Sequence, residues 1–272
     1  MNIQQTLNPD YAAIKGKQNA AWASGNYAVV GTTLQKVGED LAEALDLVPG
    51  ARVLDVAAGN GNASLAFARR WHRVTSTDYV QELLDKGAAR AEAEELAIEF
   101  RVADAEALPF ADNSFDATVS TFGVMFAPNQ AAAVAELLRV TKPGGKIGLA
   151  NWTPNGFIGR LFRTLGGFVA PPAGVKSPAL WGDEAWLNTS FSAARSIAVR
   201  PKTFHFRYRS PEHFIEVFRE LYGPVHKAFL SLDADGQAAL TAALTELMAE
   251  FNAASDGSLS IHSEYAEVDI SK

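Results

Sequence analysis

The residues with chemistry to offer are one glycine turn, a spaced series of aspartates and five histidines; cysteine is absent. Without thiols there is no disulfide, no thiolate nucleophile and no cysteine-based zinc site, and no metal is expected. The glycines stand in LDVAAGNGNASLAFARR, residues 54–70, where Asp55, Ala57, Gly59 and Gly61 give the pattern Asp-x-Ala-x-Gly-x-Gly between an apolar run and a potential helix. Such a turn lets the backbone come close to a ligand, because glycine carries no Cβ. A nucleoside triphosphate would need Gly, four residues, then Gly-Lys-Ser/Thr. No lysine occurs between Gly61 and Lys86, so that ligand is excluded. A dinucleotide turn wants a third small residue, Gly or Ala, where Ser64 stands. Asp78 lies where a carboxylate could hold a ribose diol, a feature that several cofactor folds share.

A turn of this kind acts only at the end of a strand, and the surrounding pattern supplies strands. Leu34, Val37, Leu41 and Leu45 recur at helical spacing over 33–45, before the turn VPG at 48–50. RVLDVA (52–57) is too continuously apolar to be half exposed, as in a parallel strand covered on both faces. Further strands are expected at 73–78, 98–104, 115–121 and 145–152, with helical segments at 80–95 and 130–140, the latter ending at the turn KPGG. That alternation implies a parallel sheet wound on both faces, with its ligand crevice at the carboxyl ends of the strands. Residues 153–192 look like an irregular helical insertion. TFHFRYR (203–209) alternates as a strand, and Ser210-Pro211 starts a helix carrying Phe214, Val217, Phe218 and Leu221. A second helix carries Leu240, Leu244, Leu247, Met248 and Phe251, and the segment 259–270 is strand-like.

Composition narrows the partners. A net charge of −7 opposes a broad nucleic-acid footprint, and 48% hydrophobic with 20% charged residues suits a soluble globular chain. The N-terminus lacks the basic start and apolar core of a signal peptide, and no run approaches the roughly 20 apolar residues of a membrane span. A cytoplasmic enzyme or binding protein, with no nucleic-acid partner and no membrane insertion, is the expectation.

Downstream of the turn the chain reads DAEALPFADNSFDATVSTFGVMF (104–126) and LLRVTKPGGKI (137–147). In this combination, over roughly 45–152, it resembles the class I S-adenosylmethionine-dependent methyltransferases, and within them the small-molecule group that includes ubiquinone and menaquinone C-methyltransferases. The resemblance implies an α/β fold, a doubly wound, mostly parallel seven-stranded Rossmann-like sheet with helices on both faces and a helical cap near the C-terminus. Residues 1–45 would form an N-terminal helical lid, 46–152 the cofactor core, and 153–272 the rest of the sheet with a substrate cap at about 211–254. It also implies S-adenosylmethionine as cofactor, bound by Asp55, Ala57, Gly59, Asn60, Gly61, Asp78, Tyr79, Asp104, Ala105, Glu106, Thr121 and Phe122. Asp55 would orient the turn or hold the cofactor's ammonium group, Asp78 the ribose hydroxyls, and Asp104 the adenine amine beside a backbone N–H. Thr121 and Phe122 would line the sulfonium end. Ala57 replaces the family's first glycine, a change that costs little provided φ stays negative.

Methyl transfer is an in-line displacement in which positioning does much of the catalysis. Where a base is needed, His226 in LYGPVHKAF, with Tyr222 beside it, is the first candidate and His205 the second. Trp22, Tyr27, Phe126 and Trp152 are candidate walls for an apolar acceptor. Core or lid packing is the competing role for each aromatic residue, a solvent-exposed or packed side chain for each histidine, and helix capping for Asp55. Amino-methylating nucleic-acid enzymes carry Asn/Asp-Pro-Pro-aromatic after the fourth strand; STFGVMFAP stands there instead, which favours a small organic acceptor. The alternatives are an NAD(P)-dependent oxidoreductase and a non-catalytic S-adenosylmethionine-binding protein.

Overall fold

The computed structural model describes residues 9–272; residues 1–8 of the expected lid lie outside the described residues. Seven strands make one sheet: β1 (Arg52–Val56), β2 (Arg73–Asp78), β3 (Ile98–Val102), β4 (Phe115–Thr121), β5 (Thr141–Trp152), β6 (Ser196–Tyr208) and β7 (Leu259–Ser271), in the order β3-β2-β1-β4-β5-β7-β6. β1 to β5 pair in parallel, and β7 runs antiparallel to both β5 and β6. The helices are α1 (Tyr11–Ser24), α2 (Tyr27–Thr33), α3 (Gln35–Leu45), α4 (Asn62–Ala68), α5 (Gln81–Ala93), α6 (Gln130–Val140), α7 (Phe157–Phe168), α8 (Glu184–Ser190), α9 (Pro211–Leu221), α10 (Gly223–Ser231) and α11 (Ala234–Phe251).

The apolar run of β1 is continuous because both of its faces are covered. Val53 packs with Leu41 and Leu45 of α3 and Phe67 of α4 on one face. Leu54 and Val56 join the larger core on the other, with Leu137 and Val140 of α6 and Leu161 of α7. Burying a side chain of this size stabilises by about 1.5–3 kcal/mol, so the two cores fix where the strand ends fall.

Local differences from the sequence pattern have physical causes. The periodic run 33–45 breaks at Leu34, which leaves helical geometry (ψ 7°) and divides α2 from α3. β5 begins at Thr141, not after KPGG: the register with β4 slips between Phe115 and Ala117, and Gly144 takes φ +75° at the bulge. β6 extends back through Pro201, which is tolerated because β6 is the edge strand and a proline there removes no central ladder bond. The irregular stretch 153–192 holds α7, α8 and a 3-10 turn at Pro178–Gly182 that buries Trp181 completely. The span 211–254 contains three helices where the apolar stripes showed two; α10 begins at Gly223-Pro224 and is only nine residues long.

Candidate active site

The glycine turn follows directly from β1. Asp55 points under it: its Oδ2 accepts from both the backbone N–H and the hydroxyl of Ser64, at 2.8 and 2.7 Å. Ser64 is in the first turn of α4, so Asp55 caps that helix from the neighbouring strand. Its Oδ1 is buried without a partner, and burial pushes the carboxyl up to about 7 against the two Ser64 bonds, with Asp78 adding to the rise. Asp55 therefore orients the turn and does not line the cavity above it. Gly59 and Gly61 take φ +56° and +83°, the second as the residue that opens α4. Gly61, like Asp55, lies behind the lining.

The condition placed on Ala57 is not met. Its φ is +53°, a left-handed conformation that costs an L-residue roughly 1–2 kcal/mol. Phe122 across the cavity is also left-handed, at +58°. Between them the chain passes at Gly123, where a Cβ would lie 2.0 Å from the Ala57 carbonyl oxygen. The close packing of the β1 and β4 turns at Gly123 holds the two strained residues in place.

The polar side of the cavity is built at the ends of β2 and β3. Asp78, the last residue of β2, is buried and accepts from Gly59 N–H on Oδ2 at 2.8 Å and from Val80 N–H on Oδ1 at 2.9 Å. Burial raises it to about 6 despite those bonds. Each oxygen keeps acceptor capacity toward the cavity. Asp104 accepts from the backbone N–H of Glu106 on Oδ1, and Glu106 accepts from Asn129 N–H on Oε1. Lys15 of α1 contacts both carboxylates. Burial and the neighbouring acids push the Tyr79 phenol upward, and that residue lines the same side. Asn60 donates to Thr32 Oγ1 at 3.0 Å and Asn62 to the Gly31 carbonyl at 2.6 Å, which ties α2 to the glycine turn.

The other end of the cavity is apolar. Thr121, Phe122, Val124 and Phe126 come from the β4 end, and Trp22 and Tyr27 close it from α1 and α2. Trp22 meets Phe126 and Tyr27 edge-on at centroid distances of 5.0 and 5.2 Å. Trp152 is one layer back, stacked on Phe122 at 3.9 Å with ring planes 7° apart. Tyr222 is also one layer back, buried against Trp22 at 5.6 Å, and burial holds its phenol protonated far above its ordinary range.

The histidine candidates are elsewhere. His226 turns out of α10 and its Nδ1 sits 2.8 Å from the Arg219 carbonyl oxygen, because the buried stripe of α10 is Val225, Ala228 and Phe229. His205 stacks on His262 at 4.2 Å across β6 and β7. No histidine lines the cavity, and neither does any residue of 211–254; α9 and α10 pack behind α1 and α2, with Leu221 against Gly25 and Tyr222 against Trp22. Sequence reasoning missed Lys15, Gln18 and Asn19, although 15, 18, 19 and 22 share one helical face.

Asp78 and the glycine turn lie at the carboxyl ends of parallel strands, where sheets of this kind bind their ligands. Comparison with known proteins identifies the family. Residues 54–149 match the family described as "Methyltransferase domain". A demethylmenaquinone methyltransferase of Deinococcus radiodurans is 34% identical over 178 residues, 62% of this chain and 73% of that protein. The chain belongs to the class I S-adenosylmethionine-dependent methyltransferases. An uncharacterized protein of Mycobacterium tuberculosis is 39% identical over 243 residues, covering 85% of this chain and 87% of its own. Among solved structures, a putative methyltransferase from Bacillus halodurans superposes with a TM-score of 0.62 at 22% identity, over 87% of this chain and 99% of that one, and shares the fold. The methyltransferase's cofactor is S-adenosylmethionine, and the oxidoreductase alternative falls. No helix among the described residues is long and apolar enough to cross a membrane.

Proposed function

We propose that this methyltransferase acts on a small, largely apolar organic acceptor seated against Trp22, Tyr27 and Phe126, without a protein general base. The observation that carries this reading is the division of one cavity into a polar half, with Asp78, Asp104 and Glu106, and an aromatic half whose one phenol, Tyr27, is pushed upward by burial and by Asp78. The residues fit the cofactor. Asp78 keeps an acceptor on each oxygen for two ribose hydroxyls, Asp104 and the Ala105 backbone suit adenine, and Gly59 leaves room for the chain beside Tyr27. When bound, S-adenosylmethionine supplies an electrophilic methyl group on a sulfonium. Phe122, fixed by its stack on Trp152, and Thr121 shape the space next to it, while Trp22 and Phe126 exclude water and orient an acceptor face. Positioning of this kind contributes about 7–11 kcal/mol to bringing two reactants together. The Deinococcus relative is named for an acceptor with a planar, apolar quinone ring, and that class suits these walls.

The test is methyl transfer from S-adenosylmethionine labelled in its methyl group to a panel of reduced quinones, phenols and polar amines. Labelled product from the planar apolar members is expected. Transfer only to the polar amines would overturn the acceptor class, and no transfer to any member would favour a non-catalytic binder.

A further inference from the structure

Two carboxylates share one ammonium at the polar rim of the cavity. Lys15 Nζ donates to Asp104 Oδ2 and lies 2.9 Å from Glu106 Oε2, with the lysine side chain a quarter exposed and that of Glu106 6% exposed. The remaining oxygens are fixed by backbone: Asp104 Oδ1 by Glu106 N–H and Glu106 Oε1 by Asn129 N–H. Like charges held this close repel unless a counter-charge lies between them, and Lys15 is that charge. It comes from α1, whose capping residue Asp10 starts the helix by accepting from Ala13 N–H at 3.0 Å.

The same face of α1 makes two more contacts. Asn19 donates to the Tyr79 carbonyl at 2.7 Å and Gln18 to the Phe126 carbonyl at 3.2 Å. α1 is thereby fastened to the loops that follow β2, β3 and β4, and only the Lys15 contact is ionic. The geometry points to Lys15 as a positioning residue for cofactor binding: it fixes Asp104 as an acceptor for the adenine amine and holds α1 closed over the nucleoside. This rests on the reading of Asp104 as the adenine-side residue. Lys15 would touch the acceptor carboxylate and not the reacting atoms, so its effect belongs to binding and release.

The test compares wild type with Lys15→Met, Lys15→Gln and Lys15→Arg, and with Lys36→Met as a control that breaks only the exposed Lys36–Asp40 pair. Stopped-flow displacement gives the release rate of S-adenosylhomocysteine, and amide exchange follows residues 11–24 in the complex. Loss of a partly exposed charged hydrogen-bond pair predicts release about tenfold faster in Lys15→Met and Lys15→Gln, with faster exchange through α1. Lys15→Arg should return to within about threefold of wild type, and Lys36→Met should match it. If wild type binds and both Lys15→Met and Lys15→Gln release at its rate with unchanged exchange, the role of Lys15 is overturned and the cavity reading stands. If wild type shows no binding of S-adenosylhomocysteine, both fail together.

Discussion

Replacing Asp78 by Asn changes one carboxylate oxygen to an amide NH2 and almost nothing in volume. In the folded chain both carboxylate oxygens already accept a backbone N–H, from Gly59 and Val80 at 2.8 and 2.9 Å. An asparagine can satisfy only one of those donors; its amide nitrogen faces the other and cannot accept from a ribose hydroxyl. The substitution thus removes one charge-assisted hydrogen bond and weakens the other, each contributing about 1.5–3 kcal/mol. At 1.4 kcal/mol per factor of ten, a loss of about 2–4 kcal/mol weakens binding by roughly 30- to 700-fold. Isothermal titration with S-adenosylhomocysteine measures it, with circular dichroism to show that the fold is kept. A well-folded Asp78→Asn that binds within twofold of wild type would refute the assignment of Asp78 to the ribose.

Ala57→Gly removes the left-handed strain of about 1–2 kcal/mol and adds about 0.4–1 kcal/mol of unfolded-state entropy. A net gain of about 0.5–1 kcal/mol, or about 2 °C in thermal midpoint, is expected; a lowered midpoint would mean that the turn is not strained. With the ionised form of Asp78 as the proposed ribose acceptor and burial pushing its carboxyl up to about 6, affinity for S-adenosylhomocysteine should hold from pH 8 to 7 and fall steadily below 6; titrations giving one constant from pH 5 to 8 would contradict this. Asp55, raised to about 7 from an ordinary value near 3.9, binds more protons folded than unfolded between those limits, so its contribution to stability falls as pH rises through them. Asp55→Asn should flatten the decline in thermal midpoint between pH 5 and 7, and parallel pH profiles of the midpoint for the two proteins would count against the buried acid. His226→Ala should leave methyl transfer within about twofold of wild type, whereas a loss of a hundredfold would restore a histidine base.

The strands were legible because β1 and its neighbours are buried on both faces and separated by glycine and proline turns. Asp78 closes β2 and Asp104 lies two residues beyond β3, positions that the strand pattern could locate; the roles given to them came from the family resemblance. Asp55 could be placed on β1 but not aimed, since the choice between helix cap and ligand depends on Ser64 lying beneath it. For Ala57 the sequence could state only the condition of a negative φ; its positive φ goes with the close packing of the β1 turn against Gly123, which residue type does not report. His226 was chosen because it falls in the expected cap, and the direction it faces is set by the buried stripe of α10, a helix too short to show a clear period. Within the expected lid, Lys15, Gln18 and Asn19 of α1 escaped notice for a different reason. The helix buries no residue completely, so its function is carried by a polar face that hydrophobic periodicity does not report.

A crystal structure with S-adenosylhomocysteine decides whether one cavity holds the nucleoside at Asp78 and Asp104 and presents the sulfur to the aromatic wall. Both ribose hydroxyls are expected on the Asp78 carboxylate, the adenine amine on Asp104, and the sulfur facing Phe122 and Phe126 with Trp22 beyond. A ligand bound outside this cavity, or inside it with the ribose turned away from Asp78, would overturn the proposed site.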